Sequence, residues 1–146
     1  MTVTFCGHRE VLNRKNVSAQ LKQIISKLIK EGADKFLIGG YGGFDYLVAK
    51  SVAELKEERD NIQSILVIPY PDRDYDLFFY DFTLYPPLEK VPPKFAIVER
   101  NKWMVENSDI VIAYVNHTWG GAAMMLEYAQ KKKKPIINIV DKKFVP

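Results

Sequence analysis

Arg100-Asn-Lys-Trp-Met104, Ser108-Asp109, Ile110-Val-Ile-Ala-Tyr-Val115, Asn116-His-Thr-Trp119, Gly120-Gly121 and then Glu127 follow one another between Phe95 and Glu127. The order is a basic helix, a buried strand, a polar loop ending in two glycines, and a second helix carrying one carboxylate. The unbroken apolar run Ile110–Val115, with polar residues on both sides, is the pattern of a strand covered on both faces. Such strands belong to parallel sheets sandwiched between helices, and there the strand-to-helix junction is where anions bind. Helix N-termini at that point offer unpaired N–H groups and partial positive charge.

Working outward, the rest of the chain repeats the strand–helix alternation. Thr2–Cys6 is short, β-branched and aromatic, and ends at Gly7 with His8 and Arg9 directly after it. Val17, Leu21, Ile24, Ile25, Leu28 and Ile29 mark one face of a helix stopped by Gly32. Lys35–Ile38 is a second strand, and Gly39-Gly-Tyr-Gly-Gly43 a turn. Asp45 then opens a helix with Phe44, Leu47, Val48, Ser51, Val52 and Leu55 on one side. Ser64–Ile68 is the third strand, a helix spans about residues 94–107, Asp109–Val115 is the fourth strand, and Ile136–Ile139 is the fifth. The run Lys131–Lys134 reads as a solvated helix C-terminus, where cations suit the dipole.

The expected fold is therefore α/β, three-layered and Rossmann-like, with a mostly parallel five-stranded sheet. Right-handed crossovers favour the order 3-2-1-4-5, which makes the first and fourth strands central neighbours at a switch point. Three loops converge there: Gly7-His-Arg9, Gly39 to Asp45, and Asn116 to Gly121. One domain is expected over residues 1–146. Within it, 69–93 breaks the rhythm, holding Pro69, Pro71, Pro86, Pro87, Pro92 and Pro93 among seven aromatic residues from Tyr70 to Tyr85. Prolines suppress regular elements while that many rings demand burial, so the segment reads as a loop covering the site or as a dimer contact.

Composition narrows the function. A hydrophobic content of 47% and a charged content of 27% are ordinary for a globular protein. The net charge of +3 suits an anionic small ligand and is weak for a nucleic-acid binder, so nucleic acid is disfavoured as a partner. The lone Cys6 allows no internal disulfide and fits a reducing cytoplasm. No apolar run approaches the roughly 18 residues of a membrane span, so no membrane partner is expected. His8 has no carboxylate or cysteine at ligand spacing, so no metal site is expected; no cofactor is expected either.

The glycine turn is neither G-x-G-x-x-G nor a P-loop, and its weight comes from standing at a strand end beside two other polar loops. Candidate ligand contacts are Gly7, His8, Arg9, Gly39, Gly40, Gly42, Gly43, Asp45, Asn116, Gly120 and Gly121. Arg9 and Arg100 are the cations suited to phosphate or carboxylate, unless they are spent on surface ion pairs, as with Glu99 or Glu106 for Arg100. Glu127, one step from the inward-facing Leu126, is placed to edge the pocket, where a carboxylate can take a proton or stabilise an oxocarbenium-like centre.

Thr4-Phe-Cys-Gly-His-Arg9, Gly39-Gly-Tyr-Gly-Gly-Phe-Asp45, Tyr85-Pro-Pro-Leu-Glu89, Phe95-Ala-Ile97, Arg100-Asn-Lys-Trp-Met104, and Gly120-Gly-Ala122 with Glu127-Tyr-Ala129 together resemble the short, YpsA-like bacterial members of the SLOG superfamily. That group takes its name from DNA-processing proteins of the Smf/DprA type and the cytokinin-activating LOG enzymes. The resemblance implies a pocket for a nucleotide or nucleotide-derived small molecule, in a binding or sensing domain that could form a homo-oligomer. By similarity to the LOG phosphoribohydrolases, Arg100 and Glu127 stand at the catalytic pair, which implies as the alternative a nucleotide N-glycosidase. Trp119, Ala123 and Met124 replace the proline, third glycine and threonine of the LOG pattern, which favours binding. Gly42-Gly43-Phe44-Asp45 resembles the G-x-D turn of the Smf/DprA group and leaves a single-stranded DNA-binding module as the third reading.

Overall fold

The computed structural model describes residues 1–141; the last residues of the expected domain, 142–146, lie outside the described part. The chain runs β1 (Thr2–Gly7), α1 (Arg14–Lys30), β2 (Lys35–Ile38), α2 (Gly42–Lys56), β3 (Gln63–Val67), β4 (Phe82–Leu84), α3 (Ala96–Glu106), β5 (Ile110–Tyr114), α4 (Gly121–Lys131) and β6 (Ile136–Asn138). Short 3-10 turns at Pro93–Phe95 and Ile139–Asp141 complete it. The strands form one sheet in the order β4-β3-β2-β1-β5-β6, with every pairing parallel.

Alternation along the strands builds the three layers. Val3 and Phe5 of β1, Phe36 and Ile38 of β2 and Ile112 of β5 pack on one face with Val17, Leu21, Ile25, Phe44 and Val48 of α1 and α2. Cys6, Leu37, Val111 and Ala113 face the other way, against Met104, Val105, Met125 and Ala129 of α3 and α4. A strand buried on both faces cannot alternate with polar residues, which is why the strands read as continuous apolar runs.

The expected order 3-2-1-4-5 survives as β3-β2-β1-β5-β6. The expected count of five strands is corrected to six. The extra strand, Phe82–Leu84, lies inside the segment read as loop, at the sheet edge beside β3. It escapes the proline rule because Asp81–Leu84 is a proline-free window. Asp81 anchors it: its carboxylate accepts the Ser64 N–H at 2.8 Å and pairs with Lys56. Ile68 N–H then donates to Leu84 O at 2.9 Å. Among the described residues, no helix is long and apolar enough to cross a membrane.

The topology places β1 between β2 and β5, and the chain leaves β1 and β5 toward opposite layers. The crevice outside their carboxyl ends is the switch point of an open α/β sheet.

Candidate functional site

At the exit of β1, His8 N–H donates to Tyr114 O at 3.2 Å, and the His8 Nε2 accepts the Asn116 N–H at 2.9 Å. The β1 and β5 exits are thereby tied together, and a neutral imidazole with its proton on Nδ1 is the form that can accept there. Burial, reinforced by the neighbouring His117, lowers the His8 pKa from its ordinary value. The His8 and His117 rings stack with centroids 3.7 Å apart and planes 12° apart. Trp119 continues the stack on His117, at 3.9 Å and 18°. The Nδ1 of His117 is buried with no hydrogen-bond partner among the described residues.

Asp45 sits in the first turn of α2. Its Oδ2 accepts the Tyr41 N–H at 3.1 Å, an N-terminal cap contributed from inside the helix. Its Oδ1 is buried and unpartnered. Burial, only partly offset by the Tyr41 N–H, the Arg100 charge and the nearby Gly40 N–H, pushes the carboxyl up to about 6. The residue is 8% exposed.

Arg100 projects from α3 and is 2% exposed. Its Nη1 donates to Gly39 O at 3.0 Å and to Val67 O at 2.7 Å, and its Nε donates to Asn101 Oδ1 at 2.9 Å. The guanidinium thus bridges the ends of β2 and β3 and forms no ion pair with Glu99 or Glu106 among the described residues; Glu99 pairs with Lys102 instead. Burial lowers the Arg100 pKa, opposed by Asp45 and by Tyr41, Tyr75 and Tyr70.

The α4 N-terminus stands uncapped by any side chain, with no acid in its first turn. Gly120 enters it at φ +91°, a conformation that favours glycine, and added Cβ atoms at Gly120 or Gly121 would meet nothing within 4 Å. The start of α2 is different. Gly43 N–H donates to Arg9 O at 2.7 Å, and a Cβ on Gly42, whose φ is +85°, would lie 2.7 Å from the Arg9 Cα. That N-terminus is filled by the chain's own backbone.

These groups line one cleft of about 660 Å³. Of the residues anticipated from sequence, it brings together Gly7, His8, Arg9, Gly39, Asp45, Arg100, Asn116, Gly120 and Gly121. It leaves out Gly40, Gly42, Gly43 and Glu127. Gly40 abuts Leu66, and a Cβ at Gly7 would run into the Phe44 ring, so close packing accounts for both glycines. Glu127 is exposed on a separate groove of about 290 Å³ between α3 and α4, which shares Ile97, Asn101, Gly121 and Met125 with the cleft. None of residues 69–93 lines the cleft. Cys6 also borders the cleft, but burial raises its thiol pKa far above the ordinary value and leaves it inert. Tyr41, Asn101, His117 and Trp119 line the cleft without having been singled out as contacts, although Tyr41, His117 and Trp119 lie in the loops expected to converge there. Only the placing of His117 and Trp119 between a strand end and a glycine pair could have marked them. No group of three or more metal-ligating side chains occurs among the described residues.

A family model matches part of the chain. The YpsA model, described as "YspA SLOG family", matches residues 9–77, which contain the glycine turn, Asp45 and β3. Over those residues the chain is similar to the SLOG family. No curated protein matches its sequence. Among solved structures, the fold is similar to TM1055, with a TM-score of 0.63 at 18% identity over 92% of this chain and 71% of that one. It is similar to DNA processing protein A from Helicobacter pylori, whose structure is described for its single-stranded DNA binding mode, with a TM-score of 0.65 at 19% identity over 93% of this chain. This chain spans 63% of that protein's length. The Moco carrier protein from Chlamydomonas reinhardtii has a TM-score of 0.56 at 18% identity, over 92% and 73% of the two chains. At these identities the likeness is one of fold.

Proposed function

We propose that the cleft binds a nucleotide or nucleotide-derived small molecule and that the chain, taken as one domain, serves as a cytoplasmic binding or sensing module. The observation that carries this reading is the orphaned Oδ1 of Asp45, buried beside the cleft at the switch point. Leaving a buried acceptor unpaired costs about 1–3 kcal/mol, more when it is charged. A ligand hydroxyl or amine that donates to the Asp45 carboxylate, after a turn of the side chain that brings Oδ1 to the cleft, relieves that cost on binding. The uncapped start of α4, with room at Gly120 and Gly121, suits the phosphate of the same ligand. Arg9, exposed and without an ion pair among the described residues, adds a cation at the mouth.

Hydrolysis of an N-glycosidic bond is the second reading, and one observation favours it. The Asp45 carboxyl, raised to about 6, lies in the range of a general acid or base. The pairing of Arg100 with Glu127 has less support, because Glu127 lies outside the cleft and Arg100 is committed to two carbonyls. A single-stranded DNA-binding role has the Helicobacter pylori likeness behind it and the modest charge of +3 against it.

Native mass spectrometry of the purified protein tests the proposal, followed by incubation with nucleoside monophosphates, NAD and ADP-ribose. A nucleotide-sized mass increment with no release of free base is the expected result. Release of free base would favour the glycosidase, and absence of any adduct or binding would overturn both.

A further inference from the structure

The stack His8–His117–Trp119 ends in an indole that is 69% exposed. One face of that indole is covered by His117; no other aromatic ring stacks on it among the described residues. Leaving so large an apolar ring in water is unfavourable, and the loop gains nothing from Trp119 in the core. What holds the indole in place is the rigid platform behind it: Asn116 N–H bonds His8, His8 stacks on His117, and His117 on Trp119. All three rings line the cleft, and Gly120 and the uncapped α4 start follow Trp119 directly.

We infer that the open face of Trp119 is a stacking platform for the fused-ring heterocycle of the ligand, a purine or pterin-type base, while the phosphate of the same molecule lies at the α4 N-terminus. This deepens the proposed function and rests on it. A bicyclic ring covers an indole more fully than a pyrimidine does, so the platform selects for fused rings. A strand of nucleic acid is served by a row of aromatic side chains along a basic groove. Here one stack has one open face, which fits a single base.

The test uses the full chain carrying Trp103→Phe, which leaves Trp119 as the sole tryptophan. Its fluorescence is titrated with AMP, GMP, CMP and ribose 5-phosphate, and affinities are measured by calorimetry in that protein and in Trp119→Ala. Purine nucleotides are expected to quench the emission and to bind at least tenfold more tightly than ribose 5-phosphate, within the range of one base–aromatic stack. Trp119→Ala should abolish that advantage and leave ribose 5-phosphate affinity within twofold. Should AMP and ribose 5-phosphate bind equally in both proteins, the platform is wrong while the phosphate cleft stands. Should none of the four bind, the nucleotide reading falls and the platform with it. Tighter binding of an oligonucleotide than of AMP, with a steep salt dependence, would also overturn the inference in favour of single-stranded DNA.

Discussion

Arg100 Nη1 donates to the Val67 carbonyl at 2.7 Å and in doing so reaches across from α3 to the end of β3. The same nitrogen holds Gly39 O at 3.0 Å, so one buried cation fastens two strand ends beside the cleft. Arg100 is therefore first a structural residue, and any contact with a ligand comes on top of that.

Arg100→Ala should accordingly destabilise the fold, by about 2–4 kcal/mol, since it deprives two buried carbonyls of a charged donor. Urea unfolding followed by circular dichroism measures this. A variant as stable as the wild type would mean that the guanidinium serves only a ligand.

Asp45 makes stability depend on pH with a definite sign. Its carboxyl rises from an ordinary 3.8 to about 6 on folding, so the folded state holds the proton more tightly. That contribution is fully present below pH 3.8, declines between about 3.8 and 6, and is gone above. At neutral pH the buried carboxylate costs on the order of 3 kcal/mol relative to its protonated form. Asp45→Asn keeps an acceptor for the Tyr41 N–H and carries no charge. It should raise the melting temperature at pH 7.5 and do little at pH 4. An Asp45→Asn protein less stable than wild type at pH 7.5 would show that the charge is compensated in the folded state.

Gly121 and Gly42 should respond to alanine in opposite ways. Gly121 begins α4 with open space around it, so Gly121→Ala should leave stability unchanged or raise it by about 0.5–1 kcal/mol through helix propensity. It should nonetheless weaken a phosphate-bearing ligand, because the methyl group occupies the approach to the helix N–H groups. Gly42→Ala meets the Arg9 backbone at 2.7 Å from a φ of +85° and should cost about 2 kcal/mol or more. Thermal melts with and without nucleotide separate the two effects.

Glu127→Gln should change neither stability nor affinity by more than about 0.5 kcal/mol, as is usual for an exposed surface site. Calorimetry on the variant checks this. A hundredfold loss of turnover in any hydrolysis the wild type performs would restore Glu127 to the site.

The sheet was legible because its strands are buried on both faces, and runs such as Ile110–Val115 advertise that without help from tertiary structure. Phe82–Leu84 was not, since three edge residues between prolines carry too little pattern. Gly42 and Gly43 were read as ligand contacts because glycine permits close approach; what approaches is the Arg9 backbone, a partner fixed only once β1 and α2 pack. Glu127 was expected at the pocket edge from its place beside Leu126; Leu126 is itself only half-buried, and one step further along the helix the carboxylate is exposed on the adjoining groove. The His8–His117–Trp119 stack joins two loops more than a hundred residues apart and leaves no periodic trace in the chain.

The central claim is that nucleotides enter this cleft, and the molecule carries its own reporters. Its two histidines, His8 and His117, both line the cleft. Titrating AMP and GMP into protein labelled with 15N-histidine, and following the imidazole resonances by NMR, reads the site with no background. The account predicts that both histidines shift together and saturate with one affinity. Imidazole signals that stay fixed at millimolar nucleotide would contradict it.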